Sequence, residues 1–255
     1  TQPASTGIIQ QVREYNPDVV YHLAAISVRS SCGETTPSDT ALQVNVEGTR
    51  HVANCCTQLP NVPRLVFTSS VYVYGSSFEQ LTCVKEADPV APDNGYGISK
   101  LMAEEVLEQF QPTLPYIIAR SFQHTGPGQT GSLLIPEWID KLHTEASPLE
   151  VYNLNTWIDY SDARDVAQAY RILALEGTPG ELFNVGSGQA IRSGEIFNKL
   201  QSLLNTSKSA IESNPGESYL PIADITKIKS ETSWRPQRLV DETLKDIIQS
   251  LSHES

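Results

Sequence analysis

The chain has 255 residues, of which 39% are hydrophobic and 19% charged, a composition typical of one large or two small globular domains. Its 18 Lys and Arg residues against 30 Asp and Glu residues give a formal net charge of −12, which disfavours nucleic acid and anionic membranes as partners. No apolar run reaches the roughly 18 residues of a membrane span and the first residues do not resemble a signal peptide, so we expect a cytoplasmic protein.

Strands and helices are predicted to alternate along the chain. The apolar run from Pro17 to Ala25 is too short for a helix and is typical of a strand buried on both faces of a parallel sheet. A long segment at 75–94, with several prolines and charges, is predicted to be an active-site loop. The pattern predicts further strands at 64–70, 116–120, 149–153 and 181–188, and helices at 40–56, 96–110, 133–143, 162–176, 193–205 and 240–251. This alternation favours an α/β fold with a doubly wound parallel sheet.

Three residues are the first candidates for chemistry. Tyr96 and Lys100 are four positions apart at the start of a predicted helix, which places both side chains on one face. An ammonium beside a phenol favours the phenolate and lowers the pKa of the tyrosine, as general acid–base catalysis requires. The same spacing also occurs in exposed helix pairs. Ser70, however, ends a buried strand, where parallel sheets bind ligands, and its hydroxyl could share a hydrogen bond with a substrate oxygen.

Seven motifs carry a family resemblance, and they cover nearly the whole chain. The sequence resembles the extended short-chain dehydrogenase/reductase family of sugar-nucleotide epimerases, dehydratases and reductases, in segments that read in order DVVYHLAA, NVEGTRHV, TSSVYVYG, YGISK, HTGPGQ, DYSDARDVAQAY and LFNVGSG. The resemblance implies a Rossmann-type dinucleotide-binding domain at 1–124 with parts of 155–190. A smaller C-terminal lobe at 125–154 and 191–255 is expected to bind substrate.

The resemblance also implies site residues and a cofactor, NADP or NAD. Tyr96 would be the acid or base, Lys100 would hold the nicotinamide ribose and Ser70 would orient the substrate carbonyl. Asn45 matches a helix Asn of the family, although an ordinary polar role is equally open. Cofactor contacts are expected from Leu23, Ala24, Ala25, Tyr96, Lys100, Ser121 and His124, and substrate contacts from Ser70, Gln123, Arg164 and Arg192. The four cysteines have no metal-ligand spacing, so no metal is expected.

The residues after Ser70 indicate which of the family's reactions to expect. Dehydratases of the family carry an acid there, whereas this chain has Val71 and Tyr72, which disfavours 4,6-dehydration. The remaining motifs look most like the reductases of GDP-4-keto-6-deoxymannose, with Tyr96 as proton donor and a nucleotide sugar as substrate. Two alternatives stay open: an NAD-dependent sugar-nucleotide C4 epimerase, and a non-catalytic binding or assembly relative.

Three departures from the family pattern bear on these alternatives. Ile158 stands where the family often has an Arg that holds the substrate diphosphate, and Ser218 and Tyr219 stand near a second basic position. Arg164, Arg192 or Lys141 could compensate. No Gly-rich phosphate-binding turn precedes Asp18, so we expect either that the given sequence omits a first βαβ segment or that the chain is a truncated relative.

The resemblance further implies a homodimer. Its interface would be formed by the helices at about Leu42 to Cys56 and Tyr96 to Phe110. Val52 and Leu107 are predicted to lie on helix faces that the core does not need.

Overall fold

The structure is a computed structural model that describes residues 11–130, 133–144 and 147–252. Residues 11–15 are helical. The strands that follow are β1 (Val19–His22), β2 (Arg64–Ser70), β3 (Cys83–Val84), β4 (Tyr116–Ser121), β5 (Gln123–Thr125), β6 (Leu149–Val151), β7 (Thr156–Asp162), β8 (Leu182–Val185), β9 (Ala190–Arg192), β10 (Ala210–Glu212), β11 (Ser218–Tyr219) and β12 (Ile222–Ala223). The helices are α1 (Arg29–Cys32), α2 (Asp39–Ala41), α3 (Gly48–Thr57), α4 (Gly95–Glu108), α5 (Leu134–His143), α6 (Ala163–Glu176), α7 (Ser193–Leu203), α8 (Thr226–Glu231) and α9 (Val240–Ser252).

A parallel sheet in the order β1-β2-β4-β8 forms the centre of the fold. Its two faces are covered by different helices because successive side chains of a strand point in opposite directions. On β2, Leu65 and Phe67 pack with residues of α3 and α4, whereas Val66 packs with residues of α6. Helices on both faces of a parallel sheet confirm the predicted α/β doubly wound architecture.

The first strand differs from its prediction. We expected burial on both faces, but β1 pairs only with β2 among the described residues and therefore lies at the edge of this sheet. Tyr21 is 43% exposed and Leu23, just after the strand, is 56% exposed. The strand is also shorter than the apolar run that predicted it, because the sheet provides a partner only for Val19–His22.

The helix α4 corrects the prediction about Leu107. This side chain is fully buried and packs in the core with Leu65 and Phe67 of β2, so it cannot lie on a free helix face. Val52 of α3 is partly buried and packs against the same core cluster, so its predicted place on a free helix face stays a prediction. Helical periodicity shows that a face is apolar, and only the packed structure shows whether the sheet covers it.

The remaining strands and helices form a second group of elements. A sheet in the order β11-β7-β5, with β9 antiparallel to β7, lies beside the two-stranded sheet of β6 and β10. Its core contains Trp138 of α5 and Phe197 of α7, whose rings meet edge to face at 5.3 Å. None of the helices in the described ranges is long and apolar enough to cross a membrane.

The segment 75–94 is more ordered than predicted. Its short strand β3 pairs with β12, and Phe78 forms a bridge with Tyr219. Both partners are more than 130 residues further along the chain, so no local pattern indicates the pairing. The segment therefore connects the central sheet to the C-terminal residues.

Asp159 of β7 is a buried polar anchor between distant segments. Its carboxylate accepts hydrogen bonds from the Ser187 backbone N–H at 2.8 Å, the Ser187 hydroxyl at 2.6 Å, the Gly188 N–H at 3.0 Å and the Ala223 N–H at 3.1 Å. Burial raises the pKa of Asp159, and these hydrogen bonds oppose that shift. One side chain thus holds the turn after β8 and the strand β12 against β7.

We predict that Asp159→Ala lowers the free energy of unfolding by roughly 3 kcal/mol, because buried N–H groups lose their acceptor. Chemical denaturation would measure the loss. The matched control is Asp140→Ala, which removes an exposed carboxylate of α5. Equal stability of the two variants would contradict the anchoring role.

Candidate active site

Ser70, Tyr96 and Lys100 meet at the carboxyl end of the central sheet. Ser70 is the last residue of β2, and the other two lie in the first turns of α4. The side chain of Asn94 begins that helix by accepting a hydrogen bond from the Gly97 N–H at 3.0 Å. A hydrogen bond joins Tyr96 to Ser70. The structure therefore brings the three predicted catalytic residues together.

Glycines on both sides of Tyr96 allow close backbone contacts. A Cβ atom at Gly95 would lie 2.2 Å from the carbonyl oxygen of Cys32, and one at Gly97 would lie 2.3 Å from the carbonyl oxygen of Tyr72. Real Cβ atoms do not approach an oxygen so closely. The turn after α1 and the turn after β2 can therefore pack directly against the start of α4, with Tyr96 between them.

The pKa of Tyr96 moves in the opposite direction to our expectation. Burial raises the pKa of Tyr96 to about 12, although its hydrogen bond with Ser70 acts to lower it. Lys100 is itself buried: its ammonium lies 4.7 Å from the centre of the Phe67 ring, and burial lowers the pKa of Lys100 to about 8. Desolvation thus outweighs the attraction predicted from the helical spacing. In this state the phenol remains protonated near neutral pH, as a proton donor must.

Asn45 connects the end of β1 to α4. Its amide NH₂ donates to the carbonyl oxygen of Ile26 at 3.0 Å and to the Ser99 hydroxyl at 2.9 Å, and its amide oxygen accepts from the Ile26 N–H at 2.8 Å. Asn45 is buried in a wider π-helical turn, Leu42–Glu47, a geometry that often occurs at functional sites. The Asn45 side chain therefore positions the backbone of Ile26 against α4. The sequence motif alone did not show whether Asn45 has such a role.

The predicted cofactor residues follow the ends of neighbouring strands. Leu23 and Ala24 are exposed just after β1, and Ala25 is half-buried. Ser121 lies opposite Ser70 in the register of β2 and β4, and its hydroxyl is 2.6 Å from the Tyr170 hydroxyl. The exposed apolar Leu23 and the small alanines beside it leave room for a ligand at the end of β1, and their predicted cofactor contacts stay predictions.

His124 lies further along the same edge. It is exposed in β5, and its Nδ1 is 2.9 Å from the Phe122 carbonyl oxygen. Its predicted cofactor contact stays a prediction.

Among the predicted substrate residues, Gln123 has polar atoms without partners. Both its amide nitrogen and its amide oxygen are buried, and they make no hydrogen bond within the described part of the chain. It lies opposite Tyr160 in the register of β5 and β7. An unpaired amide of this kind can bind hydroxyl or carbonyl groups of a ligand.

Arg164 is not available in the way that we predicted. Its guanidinium makes two hydrogen bonds to Asp162, at 2.9 and 2.7 Å, and an ion pair of 2.7 Å with Asp246 of α9. It therefore ties the start of α6 to α9. Sequence position could not show this, because Asp246 is 82 residues away.

The other candidate cations have different surroundings. Arg192 lies opposite Trp157 in the register of β7 and β9, with its guanidinium 5.9 Å from the Trp157 ring, and is half-exposed. Lys141 pairs with Glu137 at 2.6 Å and donates to a backbone carbonyl at 2.8 Å. Ile158 is buried and supplies no charge. Arg192 also pairs with Glu195 at 4.0 Å, a longer distance than the ion pairs of Lys141 and Arg164, so its guanidinium is the least tightly engaged of the three.

Two further tyrosines, which the sequence reasoning did not assign to the site, lie next to these residues. The rings of Tyr72 and Tyr96 meet edge to face at 6.0 Å, and burial raises the pKa of Tyr160 strongly, with Tyr72 adding to the shift. In the sequence, the position of Tyr72 two residues after Ser70 could have indicated that it lies at the site.

This fold and site define a nicotinamide-dependent enzyme class, and the comparisons agree. The profile described as the NAD dependent epimerase/dehydratase family matches residues 4–186. The chain belongs to this family, whose characterised members that match it are sugar-nucleotide reductases, dehydratases and epimerases.

The individual relatives named here are each less than 30% identical to this chain. The chain is 27% identical to the GDP-6-deoxy-D-mannose reductase of Pseudomonas aeruginosa over 91% of this chain and 79% of the relative. It is 28% identical to a probable dTDP-glucose 4,6-dehydratase of Sinorhizobium fredii, over 92% and 72%. It is 29% identical to the UDP-glucose 4-epimerase of Mycoplasma pneumoniae, over 92% and 76%. The solved structure of RMD from Pseudomonas aeruginosa complexed with NADPH superimposes with a TM-score of 0.85 at 25% identity, covering 94% of this chain and 82% of that one.

We predict that Asn45→Ala lowers the free energy of unfolding by about 1–3 kcal/mol, because the Ile26 N–H and C=O lose their partners. It should also speed hydrogen exchange of the Ile26 amide, which NMR would follow. Asn54→Ala, on an exposed position of α3, serves as control. Unchanged exchange at Ile26 would rule out the positioning role of Asn45.

Proposed function

We propose that the protein reduces a 4-keto-6-deoxy sugar nucleotide, similar to GDP-4-keto-6-deoxymannose, with Tyr96 as the proton donor. The observation that carries the proposal is the position of Tyr96, hydrogen-bonded to Ser70 and one helical turn from Lys100, and the raised pKa of Tyr96 suits a proton donor. The likeness to the Pseudomonas aeruginosa reductase supports the choice of substrate class. Action in the cytoplasm and as a homodimer belongs to the same proposal and rests on the family resemblance.

The protein's own residues would donate the proton and orient the carbonyl group. A bound reduced nicotinamide, NADP or NAD, supplies the hydride that adds to C4 of the sugar. As the C4–O double bond becomes a single bond, Tyr96 gives its proton to the oxygen, and the product is a hydroxyl group. Ser70 would hold that oxygen in place, and Lys100 would bind the cofactor ribose and stabilise the phenolate that remains.

Substrate binding would use the residues of the second group of elements. The unpaired amide of Gln123 suits a sugar hydroxyl or carbonyl group. Arg192, half-exposed beside Trp157, is the cation proposed to meet the diphosphate in place of the Arg that is absent at Ile158. An ionic contact of this type is expected to matter mainly for binding and less for turnover.

A second candidate, sugar-nucleotide C4 epimerisation, is supported by the Mycoplasma pneumoniae relative. Bound NAD would then take up the C4 hydride while Tyr96 accepts the hydroxyl proton, and both would be returned after the keto sugar has presented its other face. Dehydration is disfavoured because Val71 is an apolar core residue and Tyr72 has no carboxylate to protonate a leaving hydroxyl. The two candidates differ in their cofactor balance, since only a reductase consumes reduced cofactor.

The deciding experiment begins with a fluorescence titration of the chain with NADPH and NADH. The better-binding cofactor is then incubated in its reduced form with keto-sugar nucleotides, and in its oxidised form with the 4-hydroxy sugar nucleotides. Stoichiometric oxidation of the cofactor by a 4-keto substrate supports the reductase. Interconversion of two 4-hydroxy epimers without net oxidation supports the epimerase, and absence of cofactor binding at millimolar concentration contradicts both.

We predict that Tyr96→Phe lowers kcat about 10²- to 10⁴-fold, the usual contribution of a positioned proton donor, with little change in cofactor affinity. Steady-state kinetics and the same fluorescence titration would measure both quantities. Tyr15→Phe, at an 87% exposed tyrosine, is the matched control. A Tyr96→Phe protein with normal turnover would contradict the assignment of Tyr96.

A further inference from the structure

A buried ion pair lies directly behind the candidate active site. Arg120 of β4 is 5% exposed and Glu104 of α4 is 3% exposed. The guanidinium donates two hydrogen bonds to the Glu104 carboxylate, from Nε at 3.0 Å and from Nη2 at 2.7 Å. The Ser69 hydroxyl donates a further hydrogen bond to Glu104. Burial alone would lower the pKa of Arg120, but its bonds with Glu104 leave that pKa raised, so the pair is ionic.

Each member of this cluster adjoins a site residue. Ser69 precedes Ser70 on β2, and it lies opposite Arg120 in the register of β2 and β4. Glu104 follows Lys100 by one turn of α4, on the same helix face. The pair therefore joins the strand that carries the hydroxyl to the helix that carries the ammonium.

Arg120 also contacts the turn that follows Ser70. Its guanidinium carbon lies 4.7 Å from the centre of the Tyr74 ring, a cation–π contact. The Tyr74 hydroxyl donates in turn to the Asn184 side chain of β8 at 2.8 Å. The guanidinium thus links β4 with α4, with the turn that follows β2 and, through Tyr74, with β8.

The electrostatic surroundings of Lys100 show why a carboxylate at this position matters. Phe67 of β2 faces the ammonium with its ring, and burial lowers the pKa of His22 of β1 to about 4, so this histidine is neutral at pH 7. Tyr96 on the same helix is protonated, and the buried thiol of Cys32 in α1 has a raised pKa. Glu104 and, to a lesser extent, Cys32 act to raise the pKa of Lys100 against burial.

We propose that the Glu104–Arg120 pair is a positioning unit of the active site, in which Glu104 supplies the counter-charge of the Lys100 ammonium and the two hydrogen bonds from Arg120 hold the Glu104 carboxylate in place. The proposal rests on the proposed function only for its effect on turnover. Stability alone does not account for such a pair, because apolar residues of similar volume often replace a buried ion pair without loss.

The test uses the double variant Glu104→Gln with Arg120→Met in the full chain. Removing one partner alone would leave an unpaired buried charge, whereas the double variant removes both charges and keeps the volume. Protein labelled with [ε-¹³C]lysine is titrated by NMR, and Lys100→Arg assigns the signal. Glu47→Gln with Arg50→Met removes a matched but exposed Glu–Arg pair on the neighbouring helix and serves as control.

We expect Lys100 to titrate at about pH 8 in the parent protein and in the control. In the double variant its midpoint should fall to lower pH, because the carboxylate that favours the ammonium is gone, although the loss of the Arg120 charge offsets part of the fall. An unchanged midpoint in a folded double variant would overturn the proposal. Glu104→Gln alone is the second variant, and because Arg120 then keeps its charge we expect a larger fall there than in the double variant.

Turnover provides the second measurement. Since Lys100 must be protonated to act, a lower pKa of Lys100 shifts the loss of kcat at alkaline pH to lower pH by the same amount. A fall in the NMR midpoint without this shift would overturn the positioning role in a catalytically active protein. If no activity is found at all, the proposed function fails, and the NMR titration alone decides whether Glu104 is the counter-charge of Lys100.

Discussion

Backbone contacts at the start of α4 set the geometry on which the site depends. Gly95 and Gly97 let the carbonyl oxygens of Cys32 and Tyr72 approach the helix at distances that any side chain would prevent. The cap provided by Asn94 begins the helix at this point, so Tyr96 enters the space between two turns from different parts of the chain. The Tyr96 side chain is therefore positioned by close backbone contacts that its glycine neighbours permit, and Ser70 at the end of β2 lies beside it.

The same close packing decides the charge states of the site. Excluding water disfavours ionisation of both Tyr96 and Lys100, so the phenol holds its proton and the ammonium gives its proton up more easily than a free lysine. A protonated phenol suits the donor in a carbonyl reduction. Glu104, one turn away on the same helix, acts to raise the pKa of Lys100 against burial and so favours the cation.

The side of the site assigned to substrate is held together by polar groups from distant segments. Asp159 gathers the turn after β8 and the strand β12, while Arg164 is engaged by Asp162 and Asp246. Neither group is then free to serve a ligand. The groups that the proposed function assigns to substrate binding, in a chain that has Ile158, are the unpaired amide of Gln123 and the half-exposed Arg192.

The sequence by itself determined the elements whose signals are local. Hydrophobic periodicity located the strand Arg64–Ser70, and Asp162 and Gly177 marked the two ends of α6. The motifs identified the family, and the order of those motifs predicted that Ser70, Tyr96 and Lys100 would meet.

Only the tertiary structure decided properties that depend on contacts between distant residues. The direction of the Tyr96 pKa shift, the burial of Leu107, the engagement of Arg164 and the exposed edge of β1 all depend on which groups pack against a residue and exclude water from it. Spacing along the chain indicates which side chains share a face. It does not indicate what covers that face, and desolvation depends on that cover.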